Sequence, residues 1–326
     1  MEKFKKIYQK TISFLYKNTT LYKKDLLYGF CTQPVLLYKP TADYRTILNL
    51  NDIFYKDAML SWNDNLNKIL TKLITVNRIH NAAFDFSKIQ SLTSSKSFGG
   101  EYNGCIDGTW FPDLFSWGRG MYPAENLKAQ TEDDWMNNIK HIEFEGFRRT
   151  SPIRITYYEW LDRYLASNCG GSHHAAMVVY QSIRDKFKYF READIDICSI
   201  DHNAVTDLEN NYYSFFAFDE VSQHVNSTEI YTYKLFHQFL GHYVSDNVIT
   251  LPVHHYYKKI KMFFIPKNNL KMESEDFIRF LDLAHRAKRV ILLNEYLKSP
   301  VTYHTEPYIH SLNNIYLGDP VREYRR

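Results

Sequence analysis

Hydrophobic and polar positions follow two rhythms along this chain, and the changes of rhythm mark its elements. From Ser61 to His80, Trp62, Leu66, Ile69, Leu70, Leu73 and Val76 recur at helical spacing. The pattern predicts an amphipathic helix capped by Ser61, with a face for core packing and no chemistry. Residues 123–140 read as a helix through Leu127, Trp135 and Ile139, whereas His141-Ile142-Glu143-Phe144-Glu145 alternates as a strand does. Residues 152–160, rich in β-branched and aromatic side chains, predict a strand, and 164–167 a second short one. Gly170 and Gly171 then separate extended chain from a helix marked by Ala176, Val179, Tyr180, Ile183 and Phe187. Ile195 to Ile200 alternates again and completes a strand–turn–helix–strand unit. Further on, 212–218 reads as an aromatic strand, 228–239 as a helix and 248–265 as strand segments bounded by Pro252 and Pro266. Residues 274–297 give the strongest helix, capped by Ser274 with Glu275 and Asp276 in its first turn.

Composition narrows the class. Among 326 residues, 44% are hydrophobic, enough for a core, and a net charge of +3 argues against a surface coated for non-specific nucleic-acid binding. The 26 tyrosines and 22 phenylalanines sit in a Lys-, Asn- and Ile-rich composition and are not read as a base-stacking surface. Cys31, Cys105, Cys169 and Cys198 form no C-x-x-C pair, which fits a reducing cytoplasm better than a disulfide framework or zinc site. No apolar run is long enough to span a bilayer. Residues 1–28 carry seven lysines against Glu2 and Asp25, with Phe4, Ile7, Tyr8, Phe14 and Leu15 at amphipathic spacing. A secretory signal would need a longer apolar core. The stretch is either a membrane-surface or nucleic-acid arm or, more simply, a docked helix with a solvated lysine face.

Candidate chemistry concentrates at Asn168-Cys169-Gly170-Gly171-Ser172-His173-His174. Glycines let the chain turn sharply and let a ligand approach, and the first amides of the following helix lie at the positive end of its dipole. Ser172, His173 and His174 add a hydroxyl and two imidazoles at the same mouth, making a seat for a phosphate or carboxylate. The alternative is a plain tight turn with Ser172 as N-cap. Arg148 and Arg149 carry guanidinium forks suited to phosphate, or are ordinary surface arginines. Asp201 and His202 follow a strand, where ligands of α/β sheets gather, or form a polar turn. The histidine spacings give no chelating pair, so a composite metal site of His173, His202 and Asp201 has no spacing behind it. Gly170-Gly171-Ser172 is not the G-x-S-x-G elbow of a serine nucleophile.

The run Pro152-Ile153-x-Ile155, a hairpin, Tyr164-x-x-Ser167 and Gly170-Gly171-Ser172-His173-His174-Ala175-Ala176 resembles the heart of the sulfiredoxin/ParB-like superfamily. Sulfiredoxins carry S-F-G-G-C-H-R-Y-A-A where the turn holds nucleotide phosphates, and ParB-like CTP-binding domains and related kinases carry variants such as D-G-H-H-R-x-A-A. The resemblance covers about 35 residues firmly and is more specific for fold than for activity; similar G-G-S-H-H stretches occur in other bacterial proteins. The sulfiredoxin cysteine position falls on Ser172, so sulfinic-acid repair is not expected, and the family arginine falls on His174. A phosphate grip would then lean on Arg148, Arg149 or Arg154.

On this resemblance the fold class is α+β. A mixed sheet holds a ParB/sulfiredoxin-like strand–turn–helix core at residues 97–205, after a mostly helical region 1–96 and before an α+β region 206–326. These limits are soft enough for one continuous globule. In the superfamily the segment before the first strand walls the nucleotide pocket, which assigns the Gly- and aromatic-rich residues 97–123, with Asp107, to the site. The reading is a nucleotide- or phosphate-binding protein taking ATP or CTP. Gly170 and Gly171 shape the turn, and Ser172 and His173 hold phosphates. His174, Arg148 or Arg149 neutralise charge. His173 with Asp107 or Asp201 serves hydrolysis or phosphoryl transfer, the carboxylates carrying magnesium or orienting water. Two other readings stand beside it: a non-catalytic module retaining only the fold and meeting a protein or nucleic-acid partner, and a metal-dependent nuclease.

Overall fold

The computed structural model describes residues 2–17, 34–35, 37, 63–94, 113–120, 127–218, 221–225, 228–233, 244, 248–252, 260–270 and 274–303. It is a mixed α+β structure whose two compact units are centred on Leu70–His202 and Asn203–Lys298.

The first unit is organised on a five-stranded mixed sheet. Its strands are β1 (Ile74–Asp85), β2 (Ser91–Leu92), β3 (Ile153–Tyr158), β4 (Arg163–Ala166) and β5 (Phe190–Ile200), in the order β1-β5-β3-β4-β2. The β3–β4 pair is an antiparallel hairpin, β3 runs parallel to β5, and β2 runs parallel to β4. The chain therefore leaves β4 beside the β2 edge and must cross β3 to reach β5. Helix α5 (Ser172–Asp185) makes that crossing. With α3 (Leu114–Gly120) and α4 (Glu132–Phe144) it covers one face of the sheet. The core formed there joins Phe84, Ile153, Ile155, Ala166 and Ala193 from the strands to Trp117, Trp135, Ile139, Ile142, Ala176 and Val179 from the helices. Strand alternation sends the intervening Arg78, Arg154 and Asp196 to the opposite face, where Arg78 and Asp196 make a two-bond ion pair.

Several expected elements change. Residues 61–80 do not form one helix. Helix α2 (Asp64–Leu70) is short, and the Asn63 side chain accepts from the Leu66 amide at 2.9 Å to cap it; Ser61 lies outside the described residues. The β-branched run from Ile74 instead pairs with β5, Ile74 opposite Ile200, so the described part of residues 1–96 holds a long strand beside its helices. Residues 141–145 are not a strand. They complete α4, whose buried Trp135, Ile139 and Ile142 keep a helical period up to a stop at Gly146.

The second unit holds a four-stranded sheet, β11-β6-β10-β9, with β6 (Tyr212–Phe218), β9 (Ile249–Pro252), β10 (Ile260–Pro266) and β11 (Ile291–Leu292). Residues 228–233 form not a helix but β8 (Thr228–Tyr233), a hairpin partner of β7 (Val221–Val225); residues 234–239 lie outside the described residues. The long helix expected over 274–297 stops at Arg286 as α7 (Ser274–Arg286). Lys288 turns left-handed with φ of 57°, and Ile291 joins the sheet before α8 (Leu293–Lys298). Phe277, Leu281 and Ala284 of α7 pack on Phe215, Phe263 and Ile265. The remaining helices are α6 (His202–Asn211) and α1 (Glu2–Lys17).

Candidate functional site

The turn between β4 and α5 is fixed from three sides. Ser167 donates its amide to Arg154 O at 2.9 Å, which ends the hairpin. Asn168, nearly buried, ties the next residues to the end of β2. Its Nδ2 donates to Ser94 O and Gly170 O, both at 2.9 Å, while Oδ1 accepts from the Ser94 amide at 2.9 Å. The third side is the end of α4. A Cβ on Gly146 would lie 2.3 Å from Gly170 O, and one on Gly170 would lie 2.8 Å from Glu145 Oε1. Glycine is required at Gly146 because backbone rests on backbone there, whereas at Gly170 the neighbour is the Glu145 side chain. The mouth of α5 thus lies beyond the carboxyl ends of the parallel strands β2 and β4, backed by the carboxyl end of α4.

Gly171, not Ser172, is the N-cap of α5. It sits in the left-handed region at φ 66°, with no side-chain cap hydrogen bond, and Ser172 is already the first helical residue and largely buried. No acidic residue occupies the first turn. The two histidines that follow have different neighbours. His173 packs its ring on buried Trp117, centroids 5.2 Å apart. His174 lies over His141 of α4, ring centroids 3.6 Å apart and planes 24° from parallel.

Hydrogen bonds settle which nitrogens carry protons. Asn138 Nδ2 donates to Lys128 O at 2.8 Å, so its Oδ1 faces His174 Nδ1 at 2.7 Å as an acceptor, and Nδ1 donates. Glu145 Oε2 lies 2.7 Å from His141 Nε2, and an ionised carboxylate only accepts, so that nitrogen donates. Asn138, His141 and Glu145 occupy one stripe of α4, at helical offsets of three and four, and meet the first turn of α5 there. None of the three stands out in the sequence, because reading 141–145 as a strand separates His141 from Asn138. The signal that could have found them is the His-x-x-x-Glu spacing continuing the helix of Trp135 and Ile139.

The other sequence candidates have partners of their own. Arg149 is held by Glu143, Nε to Oε1 2.6 Å, and Glu143 also accepts from Tyr189 OH at 2.7 Å. Arg191, buried behind them, donates to the carbonyls of Phe147 and Arg148, which anchors the 147–149 link to β5. Burial, and then the Glu143 carboxylate, push the Tyr189 phenol up to about 12. Arg148 has an exposed side chain. Arg154 lies between Ile153 and Ile155, which enter the core, so it belongs to the other sheet face. Of the three arginines, Arg149 is thus committed to Glu143 and Arg154 to the other sheet face. Asp201 and His202 follow the end of β5, which runs antiparallel to β4. Asp201 donates its amide to Leu73 O there. Asp194 is level with Arg154 and Ser167, and seven residues of strand put Asp201 roughly 20 Å away. Asp201 therefore cannot act on a ligand at the glycine turn, and a metal site joining His173, His202 and Asp201 is ruled out by strand direction.

Asp107 lies outside the described residues. The described part of the Gly- and aromatic-rich stretch is helix α3, capped by Asp113, whose Oδ1 accepts from the Ser116 amide at 2.7 Å. Gly118 lets α3 approach α5 closely, since a Cβ there would lie 2.3 Å from Ala176 O. This part of the expected wall is a core element. Among the described residues no group of three or more His, Cys, Asp or Glu side chains converges as a metal ion would require.

No curated protein and no solved structure shows a significant match to the chain. One family, described as "Family of unknown function (DUF6685)", matches residues 122–300. That span is more than half of the 326 residues and takes in α4, the glycine turn and α5 together with most of the second unit. The chain belongs to the DUF6685 family.

Proposed function

We propose that the chain is a phosphate- or nucleotide-binding protein whose ligand seats at the mouth of α5, between Gly170 and His174. One observation carries the reading. A 14-residue helix begins on a left-handed glycine, with no side-chain cap and no acid in its first turn, beyond the carboxyl ends of two parallel strands. A helix start of that kind favours an anion. The order β3, β4, glycine turn, α5 and β5 is also the one that a sulfiredoxin/ParB-like strand–turn–helix core implies. In this reading His173 and His174 line the phosphate seat, ATP or CTP is the ligand, and Asp107 is the carboxylate for a magnesium ion. NTP hydrolysis or phosphoryl transfer is the reaction to look for.

Glu145 favours a second reading, a non-catalytic protein that keeps the fold and meets a protein or nucleic-acid partner. Its carboxylate already rests against Gly170 and so competes with a phosphate. The test uses that competition. Melting of the full chain is followed with ATP, CTP, GTP and orthophosphate, with and without magnesium, in the native protein and in Glu145→Gln. A ligand at 100 times its dissociation constant adds about 2.7 kcal/mol. The first reading expects a nucleotide to raise the melting point, and to raise it more in Glu145→Gln. No shift in either protein would leave the non-catalytic reading.

A further inference from the structure

The N-terminal helix presents an unusual surface. Its sixteen residues include five lysines and one glutamate. Winding at about 100° per residue places Phe4, Ile7, Tyr8, Thr11, Ile12, Phe14 and Leu15 in one arc about 160° wide, with Lys5, Lys6, Gln9, Lys10 and Ser13 in the remainder. Thr11, a polar residue inside the apolar arc, conceals its hydroxyl: Oγ1 donates back to Ile7 O at 3.0 Å. A docked helix would bury this arc, yet Phe4 is 82%, Ile7 60% and Leu15 60% exposed. Exposed aromatic and aliphatic side chains in a continuous stripe mark an interaction surface.

We infer that α1 is a membrane-surface anchor that lies flat on a bilayer rich in anionic lipid. Charge complementarity identifies the occupant. Lysines flank the apolar arc, so a helix half-sunk in the interface keeps its ammonium groups level with the headgroups. The helix is about 24 Å long and too charged to cross a bilayer; among the described residues no helix is long and apolar enough to do so. Nucleic acid would use the lysines and leave the apolar arc in water. A second copy would bring like charges together along a contact narrower than a stable dimer needs.

The test is flotation of the full chain with vesicles, either phosphatidylcholine alone or phosphatidylcholine and phosphatidylserine in equal parts. The anchor reading expects co-flotation with the mixed vesicles, weakened by salt, and little with the neutral ones. Ile7→Glu with Leu15→Glu abolishes flotation and leaves the melting point unchanged. Lys5→Gln, Lys6→Gln and Lys10→Gln together lower the partition coefficient by roughly a hundredfold, at about fivefold per lysine. Four outcomes overturn the inference. They are no flotation, equal flotation with neutral vesicles, a melting point lowered by Ile7→Glu with Leu15→Glu, and a concentration-dependent dimer that this same variant dissolves. Binding of a DNA or RNA oligonucleotide that survives the apolar variant and fails in the lysine variant, without flotation, would move the helix to a nucleic-acid role.

Discussion

Helices α4 and α5 pack on the same sheet face and begin in opposite ways. Helix α4 satisfies its own start. Thr131 Oγ1 accepts from the Asp134 amide at 3.2 Å, the Asp134 carboxylate accepts from the amide of Thr131, and Glu132 and Asp133 add charge in the first turn. Such a capping box leaves its donors occupied from within the segment. Helix α5 starts on Gly171 with no side-chain cap, and the Glu145 carboxylate beside Gly170 comes from the end of α4. The sequence places acid where α4 needs it and imidazoles where α5 starts. The difference separates a helix start capped from within its own segment from one that no side chain caps.

The largest effect comes from separating the two helices where their backbones touch. Gly146→Ala would put a methyl group 2.3 Å from Gly170 O and 2.9 Å from its carbon, with no flexible side chain to yield. The expected loss is about 3 kcal/mol, read from the urea midpoint. An unchanged midpoint would mean that the end of α4 does not back the turn, and the comparison would lose its physical basis. Gly118→Ala meets Ala176 O at the same 2.3 Å and should cost a similar amount, about 3 kcal/mol.

Single caps give smaller and more selective effects. Gly171→Ala meets only ordinary contacts, the nearest being Ile142 Cγ2 at 3.5 Å, so its cost is that of a left-handed alanine, about 1 kcal/mol. Gly171→Asn should cost less, since asparagine tolerates that conformation. Thr131→Ala removes the α4 cap and also costs about 1 kcal/mol. With the stability losses of Gly171→Ala and Thr131→Ala alike, the ligand response is what separates the two helix starts. Stabilisation by nucleotide or orthophosphate should persist in Thr131→Ala and fall in His174→Ala, which removes an imidazole from the mouth of α5. Equal responses in those two variants would take the seat away from α5.

The same contrast shows what could be read from the sequence. The alternation at 195–200, the β-branched run at 152–158 and the aromatic run at 212–218 were legible because each pattern is complete within a short window. The glycine turn was legible for the same reason. Ile74–Asp85 was not, because Leu66, Ile69, Leu70, Leu73 and Val76 keep a helical spacing across a break that only pairing with Ile200 enforces. Five alternating residues at 141–145 fit a strand as well as the end of a helix, and that ambiguity hid His141 and Glu145. Asp201 looked placed for chemistry because strand direction cannot be read locally. In this sheet β5 runs antiparallel to β4 and finishes at the opposite end of the strands from the turn.

The smallest effect is a titration confined to α4. The Asp134 carboxyl is held below the ordinary carboxylate range, first by the backbone amide of Thr131, then by that of Gln130 at 3.0 Å. A folded-state value below the unfolded one, about 3.9, means that the folded protein binds this proton less readily. The resulting stabilisation is complete above pH ~4 and is lost as pH falls through the lower folded-state value. Because the carboxylate is largely exposed, solvent screening keeps the contribution to a fraction of a kcal/mol, so it should be measured as a difference. Urea midpoints for native protein and Asp134→Asn should run parallel above pH ~4, with the variant lower, and converge below it. The first turn of α5, which has no acid, contributes nothing to this limb. A gap that stays constant through the acid range would show that the Asp134 side chain supports α4 by shape alone, and the two helix starts would then differ in hydrogen bonding but not in charge.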